Sequence, residues 1–194
     1  MYIAFEGVDT VGKSTQIELL RKRFEDVLVT KEPGGTELGQ KIRKILLNEG
    51  GLGARSEVLL FLADRAEHTE RIIRPNAHRL ILSDRSFISG IAYAHVHDKI
   101  EIDTLMELNR FATANTFPDR IILFKIKKCE LESRMAQKSG DSIELRGIEY
   151  MMRVQKVMEE LVDLLGIDHL IVDATSSVKE INEKIYRYIK DCRK

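Results

Sequence analysis

FEGVDTVGKSTQ, residues 5–16, decides how this chain is read. Within it, Gly7-x-x-x-x-Gly12-Lys13-Ser14 fits the phosphate-binding loop pattern residue for residue, after a short apolar strand and ahead of a helical stretch. The spacing has a chemical reason. Gly7 and Gly12 can take backbone angles closed to other residues, so the loop can wrap a polyphosphate and aim successive amide N–H groups at it. The positive end of the following helix faces the same phosphates. The Lys13 ammonium can reach their β and γ oxygens, and the Ser14 hydroxyl can hold Mg²⁺. The plain alternative is a glycine-rich turn with a chance Lys-Ser, which the strand before and the helix after disfavour. The loop Gly7, Val8, Asp9, Thr10, Val11, Gly12, Lys13, Ser14 and Thr15 is therefore expected to bind a nucleoside triphosphate with magnesium.

Outward from the loop, apolar and β-branched runs mark strands at Tyr2–Phe5, Val27–Thr30, Leu80–Leu82, Ile121–Ile126 and His169–Val172. Helical spacing predicts Ser14–Phe24, a helix capped by Thr36, Ser56–Ile73 ahead of Pro75, Ser86–Tyr93, Asp103–Ala114 and Glu130–Gln137. A long helix is expected from Ile143 to a stop at Gly166, and a last one after the Ser177/Glu180 capping-box signal. Strands alternating with helices predict an α/β fold of the P-loop NTPase type. That is a three-layer sandwich with a central parallel five-stranded sheet, helices on both faces, and ligands at the C-terminal strand ends.

Composition bounds the partners. The 194 residues suffice for one domain with a sizeable core and are too few for two ordinary ones. With 31 basic against 31 acidic residues, no net field recommends nucleic acid or an anionic membrane. Cys129 and Cys192 match neither a disulfide framework nor a zinc spacing, which suggests a reducing compartment. The longest apolar run, Val58–Ala63, cannot span a bilayer, and Met1 leads straight into the first strand. A cytoplasmic protein is expected.

Further motifs fall on the same rim. The strand ending in Asp84 offers a carboxylate to Mg²⁺ opposite Ser14. Arg85 beside it can contact a second phosphate, as a phosphoryl acceptor requires. The plain alternative is a surface ion pair at a strand end. Glu32-Pro33-Gly34-Gly35-Thr36 follows the second strand, where its glycines let backbone amides approach an anion. Phe61 and Arg65, four apart on one helix face, can present an aromatic plate and a guanidinium to one planar ligand, although such pairs are more often core plus surface. His95 and His97 point to different helix faces, so no zinc pair is read there.

Together these stretches resemble the bacterial thymidylate kinase family, which transfers the γ-phosphoryl of ATP to dTMP. The likeness covers nearly the whole chain. It runs through FEGVDTVGKSTQ at 5–16, KEPGGT at 31–36, LLFLADRAEH at 59–68, SDRSFISGIAY at 83–93, LMELNRFAT at 105–113 and the PD turn at 118. The resemblance implies that Phe61 stacks on thymine, Arg65 hydrogen-bonds it, Asp9 lies near the sugar 3′-hydroxyl, and Arg85 holds the dTMP phosphate. Glu32, Ser89 and Tyr93 would complete the substrate pocket. It also implies a homodimer and a single nucleoside monophosphate kinase domain over 1–194 with a lid around 134–147. Thr10 stands where many members carry Gly or Arg, and Ser142 stands at the lid position of an alternative Arg. The last positive charge for transfer is therefore assigned to Arg146 first and Lys138 second. A deoxynucleoside kinase would instead use Glu32 as the base on a 5′-hydroxyl. A P-loop switch module would need partner or guanine motifs, and no Asn-Lys-x-Asp occurs.

Overall fold

The computed structural model describes residues 1–49, 51–136 and 147–192. Strand β1 (Tyr2–Glu6) is buried along its whole length, which its apolar sequence YIAFE permits only at the centre of a sheet covered on both faces. It lies between β3 (Leu80–Asp84) and β4 (Arg120–Lys125), with β2 (Val27–Lys31) and β5 (His169–Asp173) at the edges. The order is β2-β3-β1-β4-β5, and every pairing is parallel.

Among the described residues eight α-helices connect and cover the strands: α1 (Lys13–Arg21), α2 (Glu37–Lys44), α3 (Ala54–His68), α4 (Phe87–Asp98), α5 (Ile102–Thr113), α6 (Lys128–Met135), α7 (Ile148–Leu165) and α8 (Val178–Asp191). The β1-to-β2 crossover runs across the sheet in one direction and the later crossovers run in the other. Right-handed crossovers then put α1 on one face and the intermediate helices on the opposite face. Packing agrees: α1 meets α8, while α4 meets α3, α5 and α7.

Three helix ends have the predicted chemistry. The Thr36 hydroxyl accepts from the Gly39 N–H at 2.9 Å, Ser177 and Glu180 form a reciprocal capping box, and Gly166 closes α7 in the left-handed conformation. Other boundaries differ from expectation. α1 stops at Arg21, and Phe24 leaves it to pack on Tyr186 of α8 at 5.0 Å. α4 runs beyond Tyr93 to Asp98 because Ala94 and Val96 are buried, and Lys99 ends it at φ 58°. α3 ends at His68, passing into a π-helical turn, Thr69–Ile73, and a 3₁₀ turn, Arg74–Asn76. Pro75 fits that short turn's start, where its missing N–H is not needed. The expected start of the long helix at Ile143 lies outside the described residues, as do Lys138 and Arg146 and most of the expected lid.

Register brings the chemistry level. Phe5 pairs with Asp84 and Lys31 pairs with Asp84 from the other side. The ladders continue past the strands: Arg85 N–H donates to the Phe5 carbonyl at 2.9 Å and Glu32 N–H to the Asp84 carbonyl at 3.0 Å. Gly7, Glu32 and Arg85 therefore leave the sheet side by side.

Candidate active site

The loop after β1 has the geometry its glycines predict. Gly7 has φ 139°, and a Cβ there would sit 2.9 Å from the Phe124 carbonyl oxygen, a backbone atom that cannot retreat. Gly12, at φ 94°, is the residue from which α1 springs. Lys13 is buried and folds back on the loop, donating to the carbonyls of Gly7 at 3.0 Å and Val8 at 2.8 Å. Burial, and next the positive Arg85, lower its pKa to about 8 against the pull of Asp84, Asp9 and Glu6.

Ser14 Oγ donates to Asp84 Oδ2 at 2.6 Å. A hydroxyl and a carboxylate so close are the hard oxygen donors that Mg²⁺ prefers. Among the described residues no group of three or more His, Cys, Asp or Glu could hold a metal. An ion at this pair would therefore complete its shell with nucleotide oxygens and water.

Arg85 stands between this hollow and a second one. Its Nη1 donates to the Gly7 carbonyl at 2.9 Å and to Ser89 Oγ at 2.8 Å, and its Nη2 to Asp9 Oδ1 at 2.6 Å. Its backbone is left-handed at φ 76°, which costs a residue with a Cβ about 1–2 kcal/mol. Tyr93 lies beside it with its ring centroid 5.5 Å away, and the Tyr93 hydroxyl donates to Asp9 Oδ2 at 3.4 Å. Burial raises the Tyr93 pKa, so the phenol stays neutral.

The second hollow is a cleft between α3, α4 and α5, with apolar walls from Val58, Phe61, Leu62, Ala94 and Leu105. Its polar end is Arg65, almost fully buried. Nε of Arg65 donates to Glu32 Oε2 at 2.7 Å, Nη1 to Asn109 Oδ1 at 2.7 Å, and Nη2 to the Ser86 carbonyl at 3.2 Å. His68 Nδ1 donates to the other Glu32 oxygen at 2.8 Å. Burial pushes the Glu32 carboxyl upward, but Arg65 and His68 outweigh it and hold the pKa below the ordinary value. Asp64, which accepts from the Gly34 N–H at 2.9 Å, is pushed up to about 6 by burial and by Glu32.

The residues expected at the substrate pocket, Asp9, Glu32, Phe61, Arg65, Arg85, Ser89 and Tyr93, all line this one cleft. Asp9, Glu32, Arg43 and Arg85 line both it and the hollow over Lys13, Ser14 and Asp84. Arg134, on α6, reaches the Thr10 carbonyl at 3.3 Å and the Ala174 carbonyl at 2.8 Å, joining the loop to the end of β5. Asp64 and His68 were not anticipated, nor were three further site residues. Arg43 donates to the Pro33 carbonyl at 3.0 Å from the last turn of α2, Asn109 orients Arg65, and Glu6 is fully buried beneath Ser86 and Ser89. Only Glu6 carried a signal of its own, an acidic residue closing an otherwise apolar strand.

Comparison with known proteins agrees with this geometry. A family profile described as thymidylate kinase matches residues 5–185. A thymidylate kinase of Sulfurovum sp. is 50% identical over 190 residues, covering 98% of this chain and 100% of that one. One of Campylobacter jejuni is 49% identical over 192 residues, covering 98% of each. The crystal structure of thymidylate kinase from Ehrlichia chaffeensis superposes with a TM-score of 0.79 at 25% identity over 98% of both chains. This chain belongs to the thymidylate kinase family, the ATP-dependent nucleoside monophosphate kinases.

Proposed function

We propose that the chain moves the γ-phosphoryl of ATP to the phosphate of dTMP, giving dTDP and ADP, in the supply of dTTP. The observation that carries this is the shared wall of the two hollows. Arg85 and Arg43 face both the loop built for a triphosphate and the cleft built for a flat base, so a donor and an acceptor phosphate meet between them.

In this reading the loop amides hold the ATP phosphates. Lys13 exchanges its carbonyl partners, Gly7 and Val8, for β and γ oxygens. Ser14 and Asp84 would hold Mg²⁺, which when bound offsets charge on the phosphate oxygens. Arg85 fixes the dTMP phosphate, Asp9 takes the sugar 3′-hydroxyl, Phe61 stacks on thymine and Arg65 hydrogen-bonds it. Ser89 and Tyr93 close the sugar side. The acceptor oxygen is already anionic, so no protein base is needed. Glu32 serves here by fixing Arg65. Its two engaged oxygens and lowered pKa make it a poor base, which argues against the nucleoside kinase alternative.

The working form is proposed to be a cytoplasmic homodimer. Supporting this, Leu59 on α3 and Phe111 on α5 are largely exposed, 60% and 89%, which large apolar residues tolerate best under a partner. Sedimentation giving the single-chain mass of 22.3 kDa at working concentration would refute the dimer. No described helix is long and apolar enough to cross a membrane.

ADP release measured with dTMP, dUMP, thymidine and no acceptor tests the reaction. dTMP should turn over fastest, dUMP detectably but more slowly because a methyl contact is worth about 1–3 kcal/mol, and thymidine not at all. Turnover of thymidine with dTMP inert would overturn the assignment.

A further inference from the structure

Glu6 closes β1, has no accessible surface and takes no part in the roles assigned above. One of its oxygens, Oε1, accepts from both the Ser86 N–H and the Ser86 hydroxyl at 2.7 Å. The other, Oε2, accepts a very short bond from the Ser89 hydroxyl. Both serines lead to Arg85. Ser86 is the next residue in the chain, so its N–H belongs to the peptide that leaves the left-handed Arg85. Ser89 Oγ is also the acceptor for Arg85 Nη1 at 2.8 Å. Ser86 occupies the N-cap position of α4 yet makes no side-chain cap bond to the helix, its hydroxyl being turned to Glu6 instead. Through one carboxylate, then, the backbone on the far side of Arg85 and the head of its guanidinium are tied to the central strand.

The plain explanation is a buried carboxylate that joins β1 to α4 and nothing more. It does not explain why both branches converge on a single arginine held in a conformation that a Cβ disfavours. We propose that Glu6 is a positioning residue for acceptor binding, fixing Arg85 in its left-handed turn with the guanidinium aimed at the acceptor phosphate through Ser86 and Ser89. The proposal rests on the reading that Arg85 holds the dTMP phosphate.

Glu6→Gln preserves shape, but the Ser86 N–H needs an oxygen acceptor, so the new amide N–H₂ faces Ser89, whose hydroxyl can no longer donate there while accepting from Arg85. The test is a cycle of Glu6→Gln, Arg85→Ala and the double variant, with dTMP and ATP dissociation constants and melting temperature measured for each. Glu6→Gln should weaken dTMP about tenfold or more, as expected for disturbing a charge-assisted contact, with ATP binding changed less than about twofold. In the Arg85→Ala background it should weaken dTMP no further. An unchanged dTMP constant in Glu6→Gln overturns the proposal. So does an equal loss with and without Arg85, the result of a merely structural role. If Arg85→Ala itself leaves dTMP binding intact, the reading of Arg85 fails and the proposal falls with it, an outcome distinguishable from failure of Glu6 alone. Should Glu6→Gln not fold, Ser86→Ala removes a hydroxyl that donates to Glu6 and has no assigned contact with dTMP, and additivity of that variant with Arg85→Ala overturns the proposal equally.

Discussion

Gly90 lies on α4 directly beneath the Arg65 guanidinium, and Gly90→Ala should damage base recognition without touching the phosphate loop. The added Cβ would sit 2.9 Å from Nη2, 3.0 Å from Nη1 and 3.3 Å from Cζ. Comfortable carbon contacts begin near 3.5 Å, so the guanidinium must retreat by about half an ångström. An arginine head on a surface would do so at little cost. Arg65 is held by Glu32, Asn109 and the Ser86 carbonyl, and the last of these bonds, at 3.2 Å, is already near the outer limit. Losing one hydrogen bond to a charged group costs about 1.5–3 kcal/mol, equivalent to about a ten- to hundred-fold fall in kcat/KM for dTMP. Intrinsic propensity works the other way, because alanine favours a helix over glycine by about 1 kcal/mol. A lower melting temperature would thus also trace to the clash. Steady-state ADP release, with dTMP and ATP varied in turn, separates the two sites: the loss should appear for dTMP, with KM for ATP unchanged. Wild-type kcat/KM for dTMP, or an equal loss for ATP, would refute the reasoning.

Lys13, with a pKa of about 8 in the ligand-free site, should become fully protonated beside a polyphosphate, so ATP binding at pH 8 should take up about half a proton. Calorimetry in buffers of differing ionisation heat measures this, and zero uptake would contradict it. The same depressed value means that the unfolded chain binds more protons between pH 8 and the ordinary 10.5, so the contribution of Lys13 to stability should rise with pH across that window. If Arg146 or Lys138 supplies the transfer charge, as we propose, Arg146→Ala or Lys138→Ala should cut turnover by about two orders of magnitude with little change in dTMP affinity. Near-normal turnover in the double variant would rule out both residues.

That Gly12, Lys13, Ser14, Asp84 and Arg85 would line one hollow was legible because most of its parts are neighbours in sequence. Gly7, Gly12, Lys13 and Ser14 are spaced by the loop itself, and Asp84 and Arg85 are set by the end of a plainly apolar strand. The second cleft is different. Arg65 finds Asn109 forty-four residues away, and Glu6 finds Ser86 eighty residues away. Such partners are chosen by tertiary packing and leave no periodic trace. Nor does local pattern reveal that α4 continues to Asp98, since what extends it is the burial of Ala94 and Val96 against neighbouring elements. Phe61 and Arg65 could be singled out from their spacing, but that spacing is equally that of a core residue and a surface charge. The structure shows that both line one cleft and that Arg65 is buried there, not a surface charge.

The register of β1 with β3 has a consequence for how such an enzyme can change. Gly7, Asp84 and Arg85 are spaced by consecutive ladder bonds of the central strands, so no small adjustment is open to them: a slip of one residue would reverse every side chain of a buried strand. The walls of the cleft proposed to take the base come instead from α3, α4 and α5, whose side chains can be exchanged one at a time. Selectivity among bases is therefore free to drift while the transfer chemistry is inherited whole. A directed search for variants accepting other pyrimidine monophosphates should be confined to those helices.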